Sequence, residues 1–191
     1  LYLLSTDVRK AFDQVTFPAF LTSLRIMGSP PDTIDLIHRI QDGFECTVKT
    51  PLGYTPFFPI SQGCKQGCPL SPIRFNLVYD IFLKYIIHKG WGYTWELNHA
   101  NNQGVDSVTI PGGAFADDLI LFADSYEELK KMTEDFNEFL TVCGMNLAPA
   151  KCEFRALNAQ APPEDLYVTD HTGLLKPIKC KPLHVPITYL G

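Results

Sequence analysis

GGAFADDLILFADS, residues 112–125, sets two acids, Asp117 and Asp118, between apolar runs suited to a buried strand. Read as one straight strand, 114–122 would send the two carboxylates to opposite faces, each among large apolar neighbours. Burial of that kind costs several kcal/mol per ion unless something positive compensates. A hairpin whose tip lies near Ala116–Asp117 removes the difficulty, because both side chains then emerge at a turn. LYLLSTD, residues 1–7, reads as a short buried strand ending at Asp7. Asp7 can therefore lie at an adjacent strand end. Three carboxylates converging there repel one another unless divalent cations join them, and would hold two such ions. Hard Mg²⁺ prefers such oxygen ligands and shares them with substrate phosphates.

Outward from this stretch, helix and strand signals alternate. Thr16 as N-cap, Pro18 in the first turn and Gly28 as stop delimit a helix over 17–27. A Ser-Pro-Pro turn leads to a second helix over 32–42. ECTVKT and YTPFFPI form a hairpin around Pro51-Leu52-Gly53. After the loop SQGCKQGCPL, Ser71-Pro72 opens a long helix that runs to about Lys89 and closes at Gly90. Its Phe75, Leu77, Val78, Phe82 and Tyr85 are core packing. Ser125 and Glu128 make a capping box for a helix over 126–142, ended by Gly144. The proline-rich remainder suggests short strands and turns. Mixed elements with adjacent hairpins indicate an α+β fold, an antiparallel sheet with packed helices.

The 191 residues, 46% hydrophobic and 19% charged, suit one globular domain with a sizeable core. No apolar stretch is long enough for a membrane span. No signal peptide is visible, so a cytoplasmic or nuclear location is expected. The chain opens inside a strand without an initiator Met and is read as a fragment of something longer. Its six cysteines lack a CxxC pair or zinc-spaced histidines, and reduced, mostly buried thiols are expected. Net charge is −5, which argues against a self-sufficient nucleic-acid binder. The excess acid lies in the second half: residues 1–95 hold nine Lys/Arg against seven Asp/Glu, and 96–191 hold seven against fourteen. An acidic half is compatible with a cation site.

An isolated Asp-Asp is most often a solvated turn, and Asp13 and Asp124 are read as local turn or cap acids. The joint pattern is different. STDVRKAFD, QGCPLSPIRFN, FADD, GMNLAPAKCE and YLG occur in that order, and together they resemble the palm of a reverse transcriptase. The non-LTR, LINE-like retrotransposon type is most similar. The resemblance covers about residues 2–191, a right-hand palm core with part of the fingers and without the thumb.

It implies that Asp7 and Asp117 bind metal and that Asp118 is the third acid. Two Mg²⁺ ions, with Mn²⁺ as a possible substitute, would activate a primer 3′-hydroxyl and stabilise the leaving pyrophosphate. Lys10 and Ala11 fall where the family offers backbone N–H groups to the triphosphate. Arg9 would help neutralise phosphate, unless it is a solvated surface arginine. Gln66 and Gly67 match the loop against incoming nucleotide and template, or else a plain polar turn. Lys151 matches a lysine near the leaving phosphate, a general acid, although Ala148-Pro149 departs from the family pattern before it. Tyr189-Leu190-Gly191 resembles the start of the primer-gripping hairpin. The implied partners are an RNA template, a DNA primer and dNTPs, with no evident protein partner and no membrane.

Rivals within the enzymes are a group II intron-type reverse transcriptase and an RNA-directed RNA polymerase. Phe12, five residues after Asp7, argues against the latter, because an aromatic ring there would exclude a ribose 2′-OH. Its alternative is a core aromatic anchoring the strand-to-helix turn. A rival of another class is a catalytically dead palm serving as a nucleic-acid-binding scaffold, or a defective relic. All three acids are present, which counts against the scaffold.

Overall fold

The structure, a computed structural model, describes residues 1–60, 62–65, 67–98, 105–162 and 164–185. Gln66 and Tyr189-Leu190-Gly191, singled out above, lie outside the described residues. In chain order the elements begin with β1 (Tyr2–Thr6), α1 (Ala11–Gln14), α2 (Phe17–Ile26) and α3 (Pro31–Gln41). Four two-residue strands follow: β2 (Glu45–Cys46), β3 (Lys49–Thr50), β4 (Gly53–Tyr54) and β5 (Phe58–Pro59). Then come α4 (Leu70–His88), β6 (Tyr93–Asn98), β7 (Val105–Ile110), β8 (Gly112–Phe115) and β9 (Asp118–Ala123). The chain continues through α5 (Tyr126–Val142), β10 (Glu153–Ala156), β11 (Leu166–Thr169) and β12 (Leu175–Ile178).

The central sheet has the order β10-β1-β9-β8 and is antiparallel throughout. Every residue of β1 is buried, as expected of a strand with a neighbour on each edge and packing on its faces. Helix α5 shows why it lies on this sheet. Leu129, Met132, Phe136 and Leu140 recur at helical spacing, and all are fully buried. Phe82 of α4 meets Phe136 of α5 at 4.8 Å between ring centroids, and Tyr79 meets the same ring edge-on at 6.0 Å. This aromatic seam joins the two long helices under the sheet.

Local chemistry sets the boundaries. Thr16 caps α2 by accepting from the Ala19 N–H at 3.4 Å, and Ser125 caps α5 by accepting from the Glu128 N–H at 3.2 Å. The expected hairpin over 45–59 forms as two short ladders, β2 with β5 and β3 with β4. Between them the Thr47 and Thr55 hydroxyls take over backbone partners, at 2.7 Å to the Thr55 carbonyl and 2.9 Å from the Val48 N–H. The long helix departs from the cap expected at Ser71. It starts at Leu70 with no side-chain cap, because the Ser71 hydroxyl donates instead to the Lys65 carbonyl at 2.7 Å. Composition gave no signal for the ribbon of β6 and β7, nor for the single turn of α1.

Candidate active site

The decisive peptide folds as a hairpin. Phe115 pairs with Asp118 across a loop of Ala116 and Asp117. Ala116 has φ 54°, the left-handed region that a residue with a Cβ enters only at a cost. On the neighbouring strand, the ladder between β1 and β9 ends at Thr6 opposite Leu119. Asp7 and Asp118 are therefore the next residues in register on adjacent strands, and Asp117 lies in the turn beside them. The Thr6 hydroxyl donates to the Leu119 carbonyl at 3.0 Å and locks this register.

Asp7 is also held from the other side. Its carbonyl accepts from the Ala148 N–H at 2.8 Å, and its N–H lies 3.5 Å from the Cys152 sulfur. Burial pushes the Cys152 thiol up to about 11, so at neutral pH it is an uncharged packing group rather than a nucleophile. Lys151 donates to Asp7 Oδ2 at 3.3 Å. Its side chain is 71% exposed, so this is a loose ion pair that a substrate can displace.

The electrostatics record the crowding of the acids. Burial, then Asp117, then Asp7 push the Asp118 carboxyl above its ordinary value. Beneath them lies Tyr79 of α4, whose hydroxyl is buried without a hydrogen-bond partner among the described residues. Burial pushes that hydroxyl well above the usual tyrosine value, and the charges of Asp117, Asp118 and Asp7 add to the effect. Periodicity along α4 marks Tyr79 only as a core position. Its functional setting was hidden because proximity to Asp117 depends on the hairpin.

The other expected residues divide among three hollows. Asp7, Arg9, Lys10 and Lys151 line one cleft of ≈ 570 Å³, closed on its far side by His171 and Lys176 around the turn between β11 and β12. Lys10 has φ 45° and starts α1. The N–H groups of Lys10 and Ala11 have no acceptor among the described residues, as befits a helix's first turn. The Ala11 side chain itself is buried. Phe12 faces a second cleft, shared with Tyr79, Phe115 and Ala116. Its ring is half-buried and stacks on Phe75 at 4.6 Å. Gly67, with φ 82°, lines a third hollow next to Arg74. The loop there is tied to α1: Cys64 N–H donates to the Phe12 carbonyl at 2.6 Å, and Gly63 N–H to Val15 at 3.0 Å. Gly63 cannot be replaced without movement, because a Cβ would stand 2.7 Å from the Asp13 carbonyl oxygen.

The acids suit a hard divalent cation: they are oxygen donors at strand ends, partly open to solvent, and mutually repulsive. Among the described residues they are not drawn together into a ready three-ligand group. Asp7 leans on Lys151 instead.

An antiparallel sheet with two carboxylate-bearing strand ends side by side, backed by two helices, defines a polymerase palm. The match to known proteins agrees, with the reverse transcriptase (RNA-dependent DNA polymerase) family model covering residues 1–191. The chain belongs to that family. It is 31% identical over 151 residues to the Retrovirus-related Pol polyprotein from type-2 retrotransposable element R2DM of Drosophila melanogaster, covering 79% of this chain and 13% of the polyprotein. A Pol polyprotein from type-1 retrotransposable element R2 of Popillia japonica is likewise 31% identical over 151 residues, covering 78% of this chain and 23% of that one. The chain thus spans a minor part of the R2 polyproteins it matches. In fold it is similar to telomerase from Candida tropicalis, solved in complex with a TWJ fragment of telomeric RNA. The TM-score is 0.60 at 16% identity, over 92% of this chain and 29% of that one. The reverse transcriptase family generally uses divalent metals. No helix among the described residues is long and apolar enough to cross a membrane.

Proposed function

We propose that this chain is the catalytic palm of an RNA-directed DNA polymerase of a non-LTR retroelement, adding dNTPs to a DNA primer on an RNA template. The observation that carries the reading is the register that sets Asp7 and Asp118 side by side on adjacent strands, with Asp117 in the turn. Asp7, Asp117 and Asp118 would hold two divalent ions, Mg²⁺ or in its place Mn²⁺. When bound, such ions neutralise phosphate charge and favour the alkoxide of the primer 3′-hydroxyl.

The chain's own residues do the rest by position and charge. Arg9 and Lys10 bring cations to the cleft beside Asp7, and the open N–H groups of Lys10 and Ala11 suit phosphate oxygens. Lys151, once released from Asp7, has an ammonium proton to give to the departing pyrophosphate. Gln66 and Gly67 are assigned to the nucleotide and template side. Phe12 is assigned to the sugar.

The test is Asp7→Asn and Asp117→Asn, made in the full-length parent for activity and in this chain for cation binding. Each variant is expected to abolish primer extension while the chain keeps its far-ultraviolet circular dichroism. Mn²⁺ should raise the unfolding midpoint of the unaltered chain and leave that of both variants in place. Extension above a few per cent of the parent's rate, or a full Mn²⁺ response in either variant, would overturn the assignment.

A further inference from the structure

Helix α4 turns two polar side chains into the core, Arg74 and Tyr79, and they fare differently. The Arg74 guanidinium donates to the Val15 carbonyl at 3.0 Å, the Gly63 carbonyl at 2.9 Å and Gln41 Oε1 at 3.2 Å. Tyr79 is as deeply buried, at 3% exposed, yet its hydroxyl has no partner among the described residues. Other hydroxyls of the core find one. Tyr2 donates to the Gln160 carbonyl at 2.9 Å, Thr6 to that of Leu119 at 3.0 Å and Thr133 to that of Leu129 at 2.7 Å. Packing does not call for a hydroxyl here. The Tyr79 ring lies 4.6 Å from Phe75 and 6.0 Å from Phe136, centroid to centroid, in the aromatic seam between α4 and α5. A phenylalanine would fill the same space without stranding a donor. Rings on two sides also keep the side chain from swinging its oxygen out to solvent.

The surroundings of that oxygen are acidic. Tyr79 shares the wall of a cleft with Phe115 and Ala116, which lead into Asp117 at the hairpin tip. After burial, the charge of Asp117 acts on the hydroxyl most strongly, and those of Asp118 and Asp7 are also felt. The other neighbour is the Cys143 thiol, which burial pushes up to about 11 and so keeps uncharged at neutral pH. The Asp117 carboxylate is half-buried and makes neither hydrogen bond nor ion pair among the described residues. A fixed, unused donor thus underlies a turn whose carboxylate has no hydrogen-bond donor of its own.

We propose that Tyr79 is a positioning residue of the acid site: in the cation-bound chain its hydroxyl donates to the Asp117 carboxylate and keeps that group turned toward Asp7. This role rests on the carboxylate reading above and deepens it. A carboxylate that ligates a cation keeps lone pairs on its inner side, and a hydrogen bond to them fixes its orientation. In the free chain the Tyr79 donor is stranded, and in the bound chain it is satisfied. The hydroxyl therefore favours the bound form over the free one without touching the cation.

The experiment compares the unaltered chain with Tyr79→Phe and with Tyr126→Phe, which removes a hydroxyl that donates elsewhere, to the Asp165 carbonyl at 3.4 Å. Free Mn²⁺ is followed by electron paramagnetic resonance during titration, and the unfolding midpoint is read in chelator. Tyr79→Phe is expected to bind Mn²⁺ about tenfold more weakly, the usual cost of losing a hydrogen bond to a ligating group, while its midpoint in chelator is no lower. Tyr126→Phe should bind Mn²⁺ as the unaltered chain does. In the full-length parent, Tyr79→Phe should raise the Mg²⁺ needed for half-maximal primer extension by a similar factor. Equal Mn²⁺ affinity in Tyr79→Phe and the unaltered chain would overturn the role of Tyr79 and leave the carboxylate reading standing. An equal loss in Tyr126→Phe would trace the effect to general packing and overturn it too. No Mn²⁺ binding by the unaltered chain would remove the carboxylate reading itself, and the role of Tyr79 with it.

Discussion

At the scale of single residues, Tyr79 and Phe12 make opposite cases. The Tyr79 hydroxyl is buried and has no partner among the described residues, a costly arrangement unless something else uses it. Tyr79→Phe is therefore expected to stabilise the metal-free chain by about 1 kcal/mol, the desolvation cost of a lone hydroxyl. Urea unfolding measures this, and a loss of stability would mean that the hydroxyl has a partner in solution. Phe12 is better satisfied, stacked on Phe75 yet facing a cleft beside Phe115 and Ala116. Phe12→Val in the parent enzyme should raise ribonucleotide over deoxynucleotide incorporation by more than about tenfold, about 1.4 kcal/mol of discrimination. Single-nucleotide extension with matched dNTP and NTP decides it. An unchanged ratio with a large drop in thermal stability would leave Phe12 as packing alone.

At the scale of elements, β10 is anchored by a buried charge network. Glu153 accepts from Lys181 at 2.8 Å and from Arg155 at 3.2 Å, and Arg155 also donates to the Pro182 and Val185 carbonyls at 2.6 Å each. These bonds hold the segment after β12 against the edge strand. Burial alone would raise the Glu153 carboxyl, but the bonds from Lys181 and Arg155 outweigh it and hold it below the ordinary glutamate range. Its stabilising effect is thus complete above the unfolded value and is lost as pH falls through the lower folded value. Glu153→Gln should cost about 2–3 kcal/mol near neutrality. The gap between the two proteins should close only in acid below the ordinary glutamate range. A gap that stays constant with pH would show that packing, not charge, is what Glu153 supplies. The legibility of elements followed the same physics. Thr16, Gly28, Ser125 and Gly144 announced their helix ends because caps and stops are local. The ribbon of β6 and β7 and the start of α4 were missed, since Ser71 serves the Lys65 carbonyl and no local rule shows that choice.

At the scale of the whole molecule, the hairpin tip and Asp7 could be inferred because burying adjacent carboxylates is prohibitive in any fold. The surroundings of Tyr79 and Arg74 could not, because both depend on which segments meet. The net charge of −5 belongs at this scale too. Polyanion binding rests on an excess of clustered Lys and Arg, and here 16 Lys and Arg face 21 Asp and Glu. Incubated alone with primer–template and dNTPs at physiological salt, it should extend poorly or not at all. Robust extension would place the nucleic-acid grip within these 191 residues. The order of the sheet has a consequence for biosynthesis. β1 pairs on one edge with β9 and on the other with β10, with Tyr2 opposite both Ala123 and Ala156. β1 can acquire neither partner until well over a hundred further residues have been made after it. At roughly 5–20 residues per second that is a wait on the order of ten seconds for an apolar strand with both edges open. Asp7, directly after the strand, is then the nearest charge to discourage that nascent strand from pairing with another chain.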